Sequence, residues 1–270
     1  LALLVTDVGL QLRPVAGILA EYEGTARDAD LAKLDGLKHE ARLVDRAHFR
    51  YRVGMRGRVR EFLGHANLLS LKRYWGYVNR IKTSYNLQVA ANVRYFAGNE
   101  LEVIEGQAGK NARRLMDGIL VFTEYAPLGF WTDRVKFLPD AAQVLEAMDR
   151  GEARDKALLA PEDLDAELTA RLKALKAGGQ GAGWKAAATG MKLQQNSISM
   201  SVTAPRRGVL VVHETFMPGW RATVDGAPAE LFQVNYMFRG LLLEPGKHRI
   251  EMKYRPVKVL VGLAVYGLTL

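Results

Sequence analysis

Five arginines alternate with mostly apolar residues along the segment 49–60. Because successive side chains of a β-strand point to opposite faces, this period of two predicts a half-buried strand with the guanidinium groups on one face. A guanidinium pairs with two phosphate oxygens at once, so the face could bind lipid phosphates or the diphosphate of a lipid-linked sugar. The alternative is a solvated face whose charges pair with acids elsewhere. The candidate anion-binding residues are Arg50, Arg52, Arg56, Arg58 and Arg60.

A second group of polar and aromatic residues lies between positions 213 and 239. An aromatic ring can stack on the apolar face of a sugar, while amide, carboxylate and guanidinium groups pair with its hydroxyls. The group could therefore bind a carbohydrate. However, Trp220 alternates with Ala222 and Val224, which favours a tryptophan in the core of a β-sandwich. The candidate substrate-binding residues are Glu214, Trp220, Asn235, Tyr236 and Arg239, with His213 beside them.

Motifs for metals and cofactors are missing from this sequence. The histidines form no H-x-x-x-H or H-E-x-x-H pair, and there is no cysteine. There is also no phosphate-binding loop, nucleophile elbow or dinucleotide fingerprint. We therefore predict neither a metal site nor a cofactor. His213 and Glu214 are neighbours on a predicted strand and point to opposite faces, which disfavours an acid–base pair.

The charge of the chain is basic and unevenly distributed. Lys and Arg number 38 against 29 Asp and Glu, and positions 38–60 alone hold eight basic residues against two acidic ones. A basic surplus indicates an anionic partner: nucleic acid, phospholipid or a phosphorylated substrate. Its concentration in one segment, and the lack of a recognition-helix or RNA-binding motif, favour a membrane lipid or lipid-phosphate sugar over nucleic acid. The average apolar and charged content excludes disordered and fibrous classes.

Hydrophobic periodicity divides the chain into two regions joined by a linker. Helical and buried-strand patterns fill the first region, whereas short alternating segments with tight turns at Asp225-Gly226 and Pro245-Gly246 fill the second. The second pattern predicts an antiparallel β-sandwich. In the first region we predict a helix from Leu71, buried strands at 87–96 and 118–125, and helices after Asp140 and over 161–176.

Both ends of the sequence are apolar. A membrane-spanning helix needs about 20 apolar residues, so each end could be one part of a span; the alternative is a terminal strand or helix of the core. The predicted fold class is α+β: a mixed α/β region followed by an antiparallel, jelly-roll-like β-sandwich, with apolar ends leading into transmembrane helices. The predicted segments are the end of a transmembrane helix (1–6), a mixed α/β domain (7–176), a Gly/Ala-rich linker (177–189), the sandwich (190–256) and the start of a transmembrane helix (257–270).

Several motifs resemble one family of bacterial membrane proteins. They are HETFMPGWRATVDG at 213–226, NYMFR at 235–239, PGKHR at 245–249 and YRP at 254–256, with LKRY at 71–74, NVRY at 92–95 and FLPD at 137–140 upstream. In this combination they resemble the YfhO-like proteins. The resemblance extends from about residue 45 to the end of the chain.

The resemblance implies a multi-spanning enzyme of the type-C glycosyltransferase class, which uses a polyprenyl-phosphate-linked sugar to modify a cell-surface polymer or lipid. It implies that this chain is an extracytoplasmic domain of such a protein. The family's catalytic acids lie near earlier membrane helices outside this sequence, so no catalytic residue is carried over and the expected role is acceptor binding and positioning. The alternative is a stand-alone carbohydrate-binding or cell-surface interaction module without enzymatic activity.

One sequence feature opposes the extracytoplasmic assignment. Basic residues crowd the start of the last apolar segment, and the positive-inside rule would place such a flank in the cytoplasm. The rule weakens for long loops and domains, which cross the membrane largely regardless of charge. The resemblance to the YfhO-like proteins therefore still implies that the soluble part lies on the extracytoplasmic side of the cell membrane. The basic residues are Arg249, Lys253, Arg255 and Lys258.

Overall fold

The structure is a computed structural model that describes residues 42–45, 60–61, 72–116, 118–175, 184, 186–194 and 196–255. Five α-helices lie in this part of the chain: α1 (Lys72–Ile81), α2 (Tyr85–Ala90), α3 (Leu101–Ala108), α4 (Ala141–Asp149) and α5 (Ala166–Lys173). The strands before the linker are β1 (Arg42–Asp45), β2 (Arg60–Glu61), β3 (Val93–Ala97), β4 (Ala112–Met116), β5 (Ile119–Phe122), β6 (Gly129–Thr132), β7 (Val135–Phe137) and β8 (Ala157–Leu159). Those after it are β9 (Thr189–Gln194), β10 (Ser197–Ala204), β11 (Gly208–Thr215), β12 (Trp220–Val224), β13 (Ala227–Ala229), β14 (Phe232–Val234), β15 (Phe238–Leu243) and β16 (Gly246–Tyr254).

Two antiparallel sheets contain all the strands from β9 to β16. One has the strand order β13-β12-β16-β10-β9 and the other β14-β15-β11-β6. Their facing side chains share one hydrophobic cluster, which includes Met200, Leu210, Leu241 and Ile250. The strands after the linker are therefore antiparallel and packed as two layers, as their alternating pattern predicts.

The four-stranded sheet is buried on both faces. Leu210 and Val212 of β11 pack into the sandwich core, whereas Val209 and Val211 pack into a second core with the N-terminal helices. The edge strand β6 precedes the linker, and its residues pair with 209–212 of β11. Segments on the two sides of the predicted linker thus contribute strands to the same sheet.

The N-terminal part contains a mixed five-stranded sheet in the order β2-β1-β3-β5-β4. Its first strand, β1, pairs in parallel with both β2 and β3, while the remaining pairings are antiparallel. A separate parallel pair, β7-β8, lies beside α4. Helices and a mixed sheet in the N-terminal part, together with the two antiparallel sheets, confirm the α+β class. No helix within the described ranges is long and apolar enough to cross a bilayer, and the predicted transmembrane segments 1–6 and 257–270 lie outside those ranges.

Local sequence signals place several elements correctly. Asp140 caps α4, because its side chain accepts a hydrogen bond from the backbone N–H of Gln143. At Asp225-Gly226 both residues have positive φ angles, 53° and 86°, as a two-residue hairpin between β12 and β13 requires. The helix predicted over 161–176 begins later, because Asp165 caps α5 after a 3₁₀ turn at Pro161–Asp163.

The strand prediction for 87–96 is wrong over its first half. Ser84 caps a short helix, α2, by accepting a hydrogen bond from the backbone N–H of Leu87. The helix is buried on nearly every side, so its sequence carries no helical period. Asn92 then takes a left-handed conformation (φ 62°) and directs the chain into β3.

A glycine in the doubly buried sheet gives a test of this packing. Gly240 of β15 lies opposite Phe232 of β14, and a Cβ atom at position 240 would collide with the phenyl ring. We expect Gly240→Ala to lower the free energy of unfolding by about 1–3 kcal/mol, the usual cost of overpacking. Urea denaturation of the purified chain measures the change.

Gly106→Ala is the matched control. Gly106 lies within α3 and has no heavy atom within 4 Å of a Cβ position. Alanine should therefore raise the free energy of unfolding by up to about 1 kcal/mol through its higher helix propensity. Equal effects of the two substitutions would contradict the packing described for Phe232.

Candidate functional site

A cleft of about 260 Å³ lies between the first turn of α1 and the loop that joins β11 to β12. Its walls carry two cationic and two aromatic side chains together with amide, hydroxyl and apolar groups. Such a mixture can stack on a sugar ring and pair with its hydroxyls. The lining residues are Lys72, Arg73, Tyr74, Thr215, Phe216, Pro218, Gln233 and Met237.

Arg73 fixes one wall of the cleft. Its guanidinium donates to Asp163 at 2.6 Å, to Glu162 at 2.8 Å and to the carbonyl oxygen of Tyr236 at 3.1 Å. The same guanidinium lies 5.6 Å from the centroid of the Tyr236 ring. The two carboxylates oppose its charge, and the contacts with Tyr236 connect α1 to the turn between β14 and β15. Lys72, the next residue toward the N-terminus, is exposed at the cleft.

Glu214, Trp220 and Arg239 lie in one cluster next to the β11–β12 loop. Nη2 of Arg42, a residue of β1, donates to Oε1 of Glu214 at 2.6 Å. Nε of Arg239 donates to the carbonyl oxygen of Thr215 at 3.0 Å, and its guanidinium lies 3.8 Å from the centroid of the Trp220 ring. Desolvation lowers the pKa of Arg239 to about 10 while Glu214 opposes the shift, so Arg239 stays charged at neutral pH. The cluster therefore holds charges and an indole ring in fixed positions.

Asn235 and Tyr236 lie in the β14–β15 turn, where both have positive φ angles, 48° and 69°. Oδ1 of Asn235 accepts a hydrogen bond from the backbone N–H of Leu158 at 2.8 Å. The backbone N–H of Asn235 donates to the carbonyl oxygen of Leu158 at 2.9 Å. The Tyr236 ring stacks on Tyr77 at 6.3 Å, and its hydroxyl lies directly against Gly76. These contacts join the turn to β8 and α1, and they bury Asn235 completely.

His213 is buried among apolar groups. Its Nδ1 lies 2.7 Å from the carbonyl oxygen of Pro127, and the ring contacts Phe130 and Phe238. Burial lowers the pKa of His213 to about 4, against the hydrogen bond to Pro127, which raises it. The imidazole is therefore neutral at physiological pH and packs as part of the core.

The arginines of the predicted cationic face lie mostly outside the described residues. Arg60 is the first residue of β2, whereas Arg50, Arg52, Arg56 and Arg58 lie outside the described ranges. The role of these arginines stays a prediction. Among the residues that the structure describes, no three His, Asp or Glu side chains cluster in a way that could hold a metal ion.

The structure thus separates the candidates that the sequence grouped together. It brings Glu214, Trp220 and Arg239 into one cluster, and it places Asn235 and Tyr236 in a turn on the side of α1. Sequence reasoning missed Arg42 and the cleft. Arg42 carries no local signal, because its partner Glu214 is 172 positions away. A signal for the cleft does exist: Phe216, Met217 and Pro218 are apolar residues placed in a turn.

A comparison with known protein families matches the part of the chain that forms one wall of this cleft. The family described as bacterial membrane protein YfhO matches residues 182–266. Residues 182–266 are thus similar to this family. The matched segment includes β9 to β16 and the loop 215–218, whereas α1 lies outside it. No curated protein and no solved structure matches the chain. Since the family is one of bacterial membrane proteins, the match supports a membrane-associated protein.

The burial of His213 predicts how the folding stability of the chain depends on pH. The unfolded imidazole titrates near its ordinary pKa of 6.5 and the folded one near 4, so the unfolded chain binds more protons between these values. The contribution of the neutral His213 imidazole to the free energy of unfolding is complete above pH 6.5. It is lost as the pH falls toward 4, and the loss is up to about 3 kcal/mol. Urea denaturation at successive pH values should show a smaller acid-side loss for His213→Gln than for the unaltered chain.

His248→Gln serves as the control. Burial alone would lower the pKa of His248, but hydrogen bonds with Asp225 and the carbonyl oxygen of Glu244 raise it. The stabilising contribution of His248 is complete below pH 6.5 and is lost as the pH rises through its folded pKa. His248→Gln should therefore keep the loss of stability that the unaltered chain shows at acid pH. An unchanged pH profile in His213→Gln would show that another group causes that loss.

Proposed function

We propose that this chain is an extracytoplasmic domain of a membrane glycosyltransferase that uses a polyprenyl-phosphate-linked sugar, and that the domain binds and positions the acceptor. One observation carries the proposal: a loop of the YfhO-like segment, 215–218, forms a wall of the cleft against α1. Catalysis then belongs to parts of the protein outside these residues. Residues 1–6 and 257–270 are proposed to be parts of the membrane-spanning helices, and the sandwich is proposed to be jelly-roll-like.

The chemistry of the cleft suits a unit of a polymeric or lipid-linked acceptor. Tyr74 and Phe216 offer ring faces, while Gln233 and Thr215 supply an amide and a hydroxyl. Lys72 adds a positive charge for an acidic sugar or a phosphate. The volume of about 260 Å³ is below the range of about 300–1,000 Å³ that is usual for whole small ligands. A single unit of a longer acceptor therefore fits this site best.

Phe216→Ala in the full-length protein tests the acceptor role. Loss of one stacking ring, worth about 0.5–1.5 kcal/mol, should raise the KM for the acceptor several-fold, up to about tenfold, with kcat at saturating acceptor retained. Transfer from a labelled polyprenyl-phosphate sugar, followed at increasing acceptor concentration, measures both constants.

Val103→Ala is the matched control, because Val103 is an exposed apolar residue of α3, an element outside the cleft. It should leave both constants unchanged. An unaltered KM in Phe216→Ala would contradict acceptor binding at the cleft. Glycan binding by the protein without any transfer activity would instead favour a stand-alone carbohydrate-binding or cell-surface module.

The side of the membrane has its own test. The 270 residues contain no cysteine, so a single cysteine can report where the domain lies. Lys110→Cys, at an exposed turn after α3, should react with a membrane-impermeant maleimide in intact spheroplasts, in a full-length protein whose other cysteines are replaced. Reaction only after the membrane is permeabilised would place the domain in the cytoplasm.

A further inference from the structure

Exposed apolar and basic residues occur on the two segments that line the cleft, the first turn of α1 and the β11–β12 loop. Trp75 of α1 and Met217 of the β11–β12 loop each expose 39% of their surface, although both are large and apolar. Lys72 and Pro218, which line the cleft, are exposed as well. Among the described residues the other exposed large apolar side chain is Val103, on α3. We name Lys72, Trp75, Met217 and Pro218 the rim patch.

The chain leaves the sandwich beside this patch. The backbone N–H of Arg255 donates to the carbonyl oxygen of Gly219 at 2.7 Å, and that of Trp220 donates to the carbonyl oxygen of Met217 at 3.4 Å. The end of β16 is therefore held against the loop that carries Met217. In the sequence, an uncharged apolar run begins at Val259, four residues after Arg255.

Aromatic and basic residues surround this exit. The rings of Trp220 and Tyr254 lie 5.6 Å apart at neighbouring strand ends, and Lys253 and Arg255 are exposed next to them. Tryptophan and tyrosine concentrate at the level of lipid headgroups, where an amphipathic ring is best accommodated. Basic residues close to an anionic leaflet are attracted to it. The exit and the rim patch thus combine the residue types found at a membrane surface.

We infer that the rim patch rests on the bilayer and binds the headgroup region of anionic phospholipids. Met217 and Trp75 enter the interfacial layer, while Lys72 and Arg255 face the lipid phosphates. The inference rests on the membrane association of the chain and on the apolar run after Arg255, and it does not require the proposed transferase activity. One consequence is that the cleft opens toward the membrane surface, within reach of a lipid-anchored ligand.

A fluorescent probe on the patch tests this contact. Met217→Cys and, separately, Trp75→Cys in the full-length protein are labelled with an environment-sensitive dye and reconstituted in nanodiscs of phosphatidylglycerol and phosphatidylethanolamine. Both dyes should emit at shorter wavelength than a dye at Val103→Cys, the matched exposed apolar position. They should also be quenched by lipids that carry a nitroxide near the headgroup, and be shielded from aqueous iodide.

Each other outcome overturns a defined part of the inference. Iodide quenching as strong as at position 103 would show that the patch is in water. Shielding from both quenchers would show that another protein segment covers it. Equal lipid quenching in phosphatidylcholine nanodiscs would exclude an anionic surface as the specific partner. The acceptor KM of the unlabelled protein is measured separately, so loss of lipid contact is distinguishable from loss of acceptor binding.

Discussion

Burial of the β14-β15-β11-β6 sheet on both faces is the constraint on which this structure depends. A sheet with two apolar faces is unstable in water unless a layer covers each side. The other sandwich sheet covers one face, and α1, α2 and their neighbours cover the other through the larger core cluster. The N-terminal region is therefore the second half of the core around β11, and β6 adds an edge strand from the same region.

The candidate site follows from this three-layer arrangement. The strand β11 leaves the doubly buried sheet at Thr215, so the loop after it emerges where the sandwich meets the helical layer. Arg73 joins α1 to the Tyr236 turn on one side, and the Arg42–Glu214 pair joins β1 to β11 on the other. These charged contacts are partly shielded from solvent, which reduces screening and gives them a larger positional effect than exposed pairs have. The loop 215–218 is thereby fixed against α1 and the cleft has defined walls.

Short-range sequence signals were accurate where one residue decides the local backbone. Asp140 as a helix cap and Asp225-Gly226 as a hairpin turn were both predicted, because each acts within three residues of its partner. The prediction for 87–96 failed over α2, because a helix buried on nearly all sides has the same uniform apolar composition as a buried strand. Ser84 and Asn92 decide that case, and neither is a strong signal in isolation.

The sequence by itself determined the α+β class, the antiparallel strands after the linker, the basic surplus and the YfhO-like motifs, since each depends on composition or on neighbours along the chain. Only the tertiary structure decided which of the motif residues meet. It buried Asn235 and His213, placed the Arg239 guanidinium on Trp220, and brought Arg42 to Glu214. It also formed the cleft from α1 and the 215–218 loop, which are about 140 positions apart in the sequence. Contacts over such separations are set by how layers pack, and no local pattern of residues encodes that packing.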